Sequence, residues 1–179
     1  MRTLIIAAVL TAPVIAHADP LTVQATAPVE DAPRTYIAPG VAFGSGGNHA
    51  MGAATFEIGE RIADHLVLHV EGIGGATAEL FGGQGNYVAG TAGLDATTCA
   101  TREKVCAYAG FSAGYAYSKY TDSGWFDDNE MSTLGQGAVG MIRAGFDIGG
   151  KHLRWRPGIE ATVVGPAQAS LVNSLAFTF

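Results

Sequence analysis

From residue 36 onward the chain alternates large apolar residues with small or polar ones. The last ten residues show this clearly, because Leu171, Leu175, Phe177 and Phe179 share one phase while mostly small residues fill the other. A period of two indicates a strand whose two faces differ. Similar alternation, punctuated by Gly, Asn and Asp, recurs earlier in the chain. The predicted strands are roughly Tyr36–Gly44, His49–Gly59, His65–Phe81, Tyr87–Thr98, Cys106–Lys119, Leu134–Ile148, Leu153–Val164 and Ala169–Phe179.

Strands at this hairpin spacing predict an all-β fold, an up-and-down barrel. A soluble barrel turns its apolar phase inward, whereas a membrane barrel turns it outward. Here the polar phase is rich in Gly, Ser and Ala and has no mid-strand Lys, unlike a typical water-facing surface. Aromatics of the apolar phase, such as Phe43, Phe56, Tyr115 and Trp155, are assigned to the two rims. We therefore predict an eight-stranded antiparallel up-and-down transmembrane β-barrel over residues 36–179.

The polar phase also carries charges of both signs. On the predicted barrel they face the lumen, where charges must be paired. A one-residue slip of the sixth and seventh strands would move up to three arginines into lipid, at roughly 2–4 kcal/mol each near the midplane. The predicted lumen charge network consists of Glu57, His69, Glu71, Arg143, Asp147, Arg154, Arg156 and Glu160. His69 and Glu71 could instead form a general acid/base pair, but membership of the network is the favoured interpretation.

Three residues fit this pattern less well. Pro39 and Pro157 fall inside predicted strands, and a closed barrel has no free edge to accommodate a missing N–H. We expect bulges or strand ends at both positions. Asn173 lies on the otherwise apolar phase of the last strand, so its orientation is left open.

The first 35 residues have a different composition. Arg2 precedes an apolar run, Leu4–Ile15, and Ala16-His17-Ala18 fits the small-x-small cleavage rule. This order predicts a secretory signal peptide over residues 1–18. Residues 19–35 contain three prolines and no clear period, which indicates a flexible leader before the barrel.

Cys99 and Cys106 are the two cysteines of the chain and enclose a short segment. In an exported protein such a pair predicts a disulfide. A metal site is not favoured, because the spacing is not C-x-x-C and no His lies nearby. The bridge would stabilise the fold by roughly 2–3 kcal/mol on the chain-entropy model.

The last strand resembles the C-terminal signature of Gram-negative outer-membrane β-barrel proteins, in particular the small eight-stranded type. The residues that match this β-signal are Leu175, Phe177 and Phe179. The resemblance implies location in the outer membrane, contact with its lipid, recognition by the barrel-assembly machinery and both termini in the periplasm. External loops would then lie at about Ser45–Asn48, Gly82–Asn86, Tyr120–Thr133 and Gly165–Gln168. We expect a monomer.

The longest of these loops is the candidate for outward recognition. Its residues combine exposed aromatics with an acidic cluster: Trp125, Phe126, Asp127, Asp128 and Glu130. The carboxylates could hold Ca²⁺, but the loop lacks EF-hand spacing. A solvated acidic loop is the favoured interpretation, and we expect no metal and no cofactor.

Composition and motifs limit the function. A net charge of −6 argues against a nucleic-acid partner, which needs a basic footprint. Some small outer-membrane barrels modify lipid A, and the deacylases among them have a His-x-Ser-Asn-type motif; neither His49-Ala-Met-Gly nor His69-Val-Glu-Gly matches it. The prediction is a barrel with a side-chain-plugged lumen and a structural or surface-recognition role, without enzymatic activity. The alternatives are an outer-membrane lipid-modifying enzyme and a soluble periplasmic barrel that binds a small ligand.

Overall fold

A computed structural model describes residues 35–46, 49–78, 83–100, 104–122, 131–165 and 168–179, and the fold is stated for these. They form eight strands in one antiparallel sheet that closes between the last strand and the first. No described segment is a helix long and apolar enough to cross a bilayer. The strands are β1 Thr35–Gly46, β2 His49–Ala63, β3 Leu66–Ala78, β4 Gly83–Ala100, β5 Val105–Asp122, β6 Met131–Gly149, β7 Leu153–Val164 and β8 Gln168–Thr178.

The strands are strongly staggered around the barrel. Following paired residues once around the sheet from Thr35 leads back to β1 at Ser45, a shear of ten residues. Shear and strand number together fix strand tilt and barrel width, and eight strands leave an interior that side chains can fill. The predicted fold class is confirmed.

The two ends of the barrel differ. Short connections at residues 64–65, 101–104 and 150–152 define what we call the turn end, where β1 begins and β8 ends. The opposite end, the loop end, has the connections at 47–48, 79–82, 123–130 and 165–167. The predicted loops Gly82–Asn86 and Tyr120–Thr133 were too long, because Gly83–Asn86 pairs with Lys119–Asp122. Backbone pairing continues there without the apolar alternation from which the strands were predicted.

The predicted disulfide between Cys99 and Cys106 is present. The two residues lie directly opposite each other on β4 and β5, just before the turn. The bridge therefore joins the ends of two paired strands.

Both prolines coincide with gaps in the strand ladders. β1 pairs with β8 at Ile37 and again from Gly40, so the ladder is interrupted around Pro39, which keeps its partner on β2. In the same way Pro157 pairs with β8 but has no partner on β6. Each missing N–H faces the interrupted side, and no edge strand is needed.

Large apolar side chains cover the outside of the barrel. Phe111, Ile159 and Leu171 are about 60% exposed, at 61%, 57% and 60%. Phe56 belongs to this surface but lies at the middle of β2, so its assignment to a rim was wrong. Asn173 also faces outward, between the buried Val172 and Ser174. A soluble barrel requires the reverse arrangement.

Candidate functional site: a two-layered lumen

The lumen contains two layers of different chemistry. The charged layer comprises Glu57, His69, Glu71, Asp95, Arg143, Arg156 and Glu160, all buried. The apolar layer comprises Ala42, Met51, Ala53, Ile73, Tyr87, Ala89, Ala116, Val139, Met141 and Val172. On each strand that contributes to both, the charged residue lies nearer the turn end, as Glu57 does relative to Met51 on β2 and Arg143 relative to Met141 on β6.

Arg143 is the centre of the charged layer. Its Nε and Nη2 donate to the two oxygens of Asp95 at 2.9 and 2.5 Å. Its Nη1 and Nη2 donate to the two oxygens of Glu57 at 3.0 and 2.9 Å. A fifth hydrogen bond, of 3.4 Å, runs from Nη1 to Glu71. All five N–H donors of the guanidinium are therefore used, four of them in two bidentate pairs of the strong, charge-assisted kind.

Arg156 provides a second guanidinium for Glu57. Its Nη1 donates to Glu57 at 2.7 Å. Its guanidinium carbon lies over the rings of Tyr36 and Tyr108, at 4.5 and 4.8 Å from their centroids. The rings provide cation–π contacts to a cation that is removed from water. The Tyr36 hydroxyl also donates to Glu57.

Arg154 and Asp147 lie closer to the turn end and form a separate pair. Arg154 Nε donates to the Asp147 carboxylate at 2.5 Å, and its Nη2 lies 3.4 Å from the Sγ of Cys106. The side chains of Arg154 and Asp147 are 13% and 26% exposed, whereas those of the charged layer are buried. The sequence placed all eight charged residues in one network. The structure has one buried cluster and one partly exposed pair, linked by a 3.8 Å contact between Arg156 and Asp147.

Sequence reasoning missed three residues of this site. Asp95, which is 0% exposed, was not included in the predicted network. Tyr36 and Tyr108 were missed because apolar-to-polar alternation does not assign a role to tyrosine. Only the strand register shows that each tyrosine lies opposite a glycine, since Tyr36 pairs with Gly59 and Tyr108 with Gly145. A Cβ at either glycine would lie under 3 Å from the tyrosine ring.

Glu71, Glu160 and His69 complete the charged layer. Glu71 and Glu160 approach the same nitrogen of Arg143, at 3.4 and 3.6 Å. The ring of His69 lies 3.6 Å from Asp95. His69 and Glu71 are both buried in this layer, at 1% and 4% exposed.

Among the described residues, one group has ligand atoms close enough to suggest a metal site. It consists of Glu57, His69 and Asp95, whose ligand atoms all lie within 4.8 Å of one another. Glu57, however, already accepts four hydrogen bonds, from Arg143 twice and from Arg156 and Tyr36. A carboxylate has about four lone-pair sites. Two guanidiniums therefore occupy the place that a metal ion would need.

The apolar layer was not predicted. Met51, Ile73, Val139 and Met141 are 2–4% exposed and lie on the inner phase. A smaller apolar cluster closes the turn end of the charged layer: Tyr36, Ala38, Val67 and Ala176. Apolar residues thus adjoin the charged layer on both sides, and its members are at most 6% exposed, which strengthens each ion pair.

The remaining predicted residues lie elsewhere. Leu175, Phe177 and Phe179 face outward at the turn end and are 47%, 44% and 67% exposed. The proposed recognition residues Trp125, Phe126, Asp127, Asp128 and Glu130 lie outside the described residues, as do residues 1–34 with the predicted signal peptide and almost all of the leader.

The sequence matches no protein-family model and no curated protein. Solved structures do match its fold. Neisserial surface protein A aligns over 83% of this chain and 98% of its own, with a TM-score of 0.61 and 11% identity. Ail, the attachment invasion locus protein of Yersinia pestis, aligns over 83% and 99%, with a TM-score of 0.56 and 14% identity.

The N-terminal β-barrel domain of Pseudomonas aeruginosa OprF also matches, over 82% of this chain and 99% of that domain, with a TM-score of 0.54 and 15% identity. At such low identities the likeness concerns the fold, and it extends over the whole length of each matched barrel. The chain therefore has the fold of the small eight-stranded outer-membrane β-barrels.

Proposed function

We propose that this protein is an integral outer-membrane barrel with a closed lumen, which serves as a structural or surface-recognition component. The observation that carries the proposal is the inverted distribution of residues: large apolar side chains outside, paired charges inside. Water would penalise such an outer surface, whereas the hydrocarbon of a bilayer would not. The matched outer-membrane barrels support the location, and Leu175, Phe177 and Phe179 would provide the signal for the assembly machinery.

The packing of the lumen supports a closed barrel. The charged layer leaves Arg143 without a free donor, and the apolar layer covers it on the loop side. Ion passage would require both layers to separate. No nucleophile elbow, dinucleotide fingerprint or Walker loop occurs in the sequence, which favours a role other than catalysis. Outward recognition would then fall to the connection at residues 123–130, which contains Trp125, Phe126, Asp127, Asp128 and Glu130.

Membrane location is tested by cell fractionation and by comparing the gel migration of boiled and unboiled samples. We expect recovery with the outer membrane and a heat-dependent shift in migration. Recovery in the soluble periplasm with no shift would contradict the proposal.

Closure of the lumen is tested by recording from planar bilayers that contain the purified protein. We expect no steady conductance from the wild type. A matched variant with both layers weakened, Arg143→Ala with Met141→Ala, should conduct once folded. A wild-type protein with stable open channels would refute the closed lumen.

A further inference from the structure

The charged layer contains more acidic groups than basic ones. Four carboxyl groups meet two guanidiniums there, and all six side chains are buried. The charged and titratable groups that face the layer from the described strands are Tyr36 on β1, Glu57 on β2, His69 and Glu71 on β3, Tyr87 and Asp95 on β4, Tyr108 on β5, Arg143 on β6, and Arg156 and Glu160 on β7. If all four carboxyl groups were ionised, the layer would hold two uncompensated negative charges, or one if His69 were a cation.

The two guanidiniums are not shared evenly among the four acids. Glu57 and Asp95 together accept five of the hydrogen bonds that the guanidiniums donate. Glu71 accepts one long hydrogen bond of 3.4 Å from Arg143 Nη1, and Glu160 lies 3.6 Å from the same atom. That nitrogen also donates to Glu57 at 3.0 Å. Glu71 and Glu160 are therefore the two acids with the least compensated charge.

Glu71 and Glu160 also contact each other. Their carboxyl groups form a hydrogen bond across the lumen, between β3 and β7. Two carboxylates cannot form such a bond, because each is only an acceptor, whereas a carboxylic acid donates its O–H to a carboxylate. The Oε2 atom of Glu160 is buried and has no hydrogen-bond partner among the described residues. The contact therefore requires a proton on one of the two groups.

The side chains on the β4 side of this pair provide no positive charge. Thr91 lies directly opposite Glu71 in the β3–β4 ladder, and the Tyr87 hydroxyl is close enough to interact with the charges of both Glu71 and Glu160. Both hydroxyls are buried, and neither has a hydrogen-bond partner within the part of the chain that the structure describes. A second negative charge on the pair would therefore remain buried and uncompensated, which is costly.

We infer that the closed charged layer binds one proton, which is shared between the carboxyl groups of Glu71 and Glu160. One group keeps its O–H and donates it to an oxygen of the other, so the pair carries one negative charge instead of two. Two carboxyl groups that share a site do not readily ionise together, because each charge disfavours the other. The inference rests on the proposed closed lumen, since water in the lumen would solvate both carboxylates.

The bound proton makes the stability of the barrel depend on pH. In the unfolded chain both glutamates are ionised at neutral pH. The folded barrel then binds one proton more than the unfolded chain, so its stability falls as the pH rises. The folding equilibrium constant should decrease about tenfold for each pH unit above neutrality, as long as the folded pair keeps its proton.

The test is urea unfolding of the full chain in lipid vesicles between about pH 7.5 and about pH 9.5, above the ordinary range of Glu and His and below that of Tyr. Glu71→Gln and, independently, Glu160→Gln replace the shared acid with an uncharged amide. Glu60→Gln is the matched control, because Glu60 is exposed near the turn end of β2. His69→Asn tests the other group that could hold the proton. Infrared spectra over the same pH range detect the C=O stretch of a protonated carboxylic acid.

We expect wild type, Glu60→Gln and His69→Asn to show the tenfold change per pH unit and the infrared band, and both pair variants to lose them. If a pair variant does not fold, the band in the wild type decides. Absence of the band from the wild type, a pH dependence lost only in His69→Asn, or stability that follows added Mg²⁺ and not pH would each overturn the inference. A wild type with neither pH dependence nor conductance would refute the bound proton and leave the closed lumen standing.

Discussion

The two layers of the lumen exclude water by different means. In the charged layer Arg143 binds three acids by hydrogen bonds and lies 3.6 Å from a fourth, and removing it would strand all of them. In the apolar layer residues such as Met51 and Met141 only fill space, and each can be shortened with a local effect. Buried ion networks depend strongly on every member, whereas apolar packing is more tolerant. The layers should therefore respond differently to single substitutions.

The largest effect is expected for Arg143→Leu. The change leaves buried carboxylates without their counter-charge, which costs about 3–5 kcal/mol of unfolding free energy. Urea unfolding in lipid vesicles, followed by tryptophan fluorescence, measures the loss. Arg154→Leu, which removes one member of the partly exposed Arg154–Asp147 pair, is the matched control. Unchanged urea resistance of Arg143→Leu would show that the network is not formed.

Met141→Ala should have a smaller effect. It leaves a cavity in the apolar layer without stranding a charge, and such truncations cost about 2–4 kcal/mol. The same urea titration measures it, with the volume-conserving Met141→Leu as the control, for which the loss should stay below about 1.5 kcal/mol. If Met141→Ala lowered the unfolding free energy as much as Arg143→Leu or more, the apolar layer would contribute more to stability than the charged layer.

Arg154→Leu itself should cost about 1 kcal/mol or less. The Arg154–Asp147 pair is partly in contact with solvent, and such pairs contribute little. The loss should shrink further at high salt, whereas that of Arg143→Leu should not. Urea titrations with and without added sodium chloride test this. A loss of unfolding free energy that does not change with salt would show that the pair is shielded from solvent, like the charged layer.

The smallest effect on the unfolding free energy is expected on the outer face of the barrel. Asn173→Leu replaces an outward polar side chain with an apolar one and should raise the unfolding free energy by about 0.5 kcal/mol in lipid. Ser174→Leu, one residue further along β8 and facing the lumen, should destabilise the barrel because it overpacks the interior. Stabilisation by Ser174→Leu and destabilisation by Asn173→Leu would reverse the assigned faces.

Much of the site could be read from the sequence, because its residue types are rare on the inner phase. Glu57, Arg143 and Arg156 stand out among Gly, Ser and Ala, and each lies on the polar phase of its own strand, which places its side chain in the lumen. Met141 shares the phase of Arg143 two residues later, but its apolar side chain does not stand out from that of its outward neighbour Ile142. A period-two pattern cannot separate two apolar neighbours that lie on opposite faces.

The sequence by itself determined the strand number, the inner and outer phases and the disulfide, since each follows from local alternation or a short spacing. Only the tertiary structure decided which charges meet. Glu57 and Arg143 lie on β2 and β6, and the stagger of the strands around the closed barrel brings them to the same depth. It likewise decided the stacking of the two layers. Such features arise between strands that are distant in the chain, where alternation along any one strand carries no information.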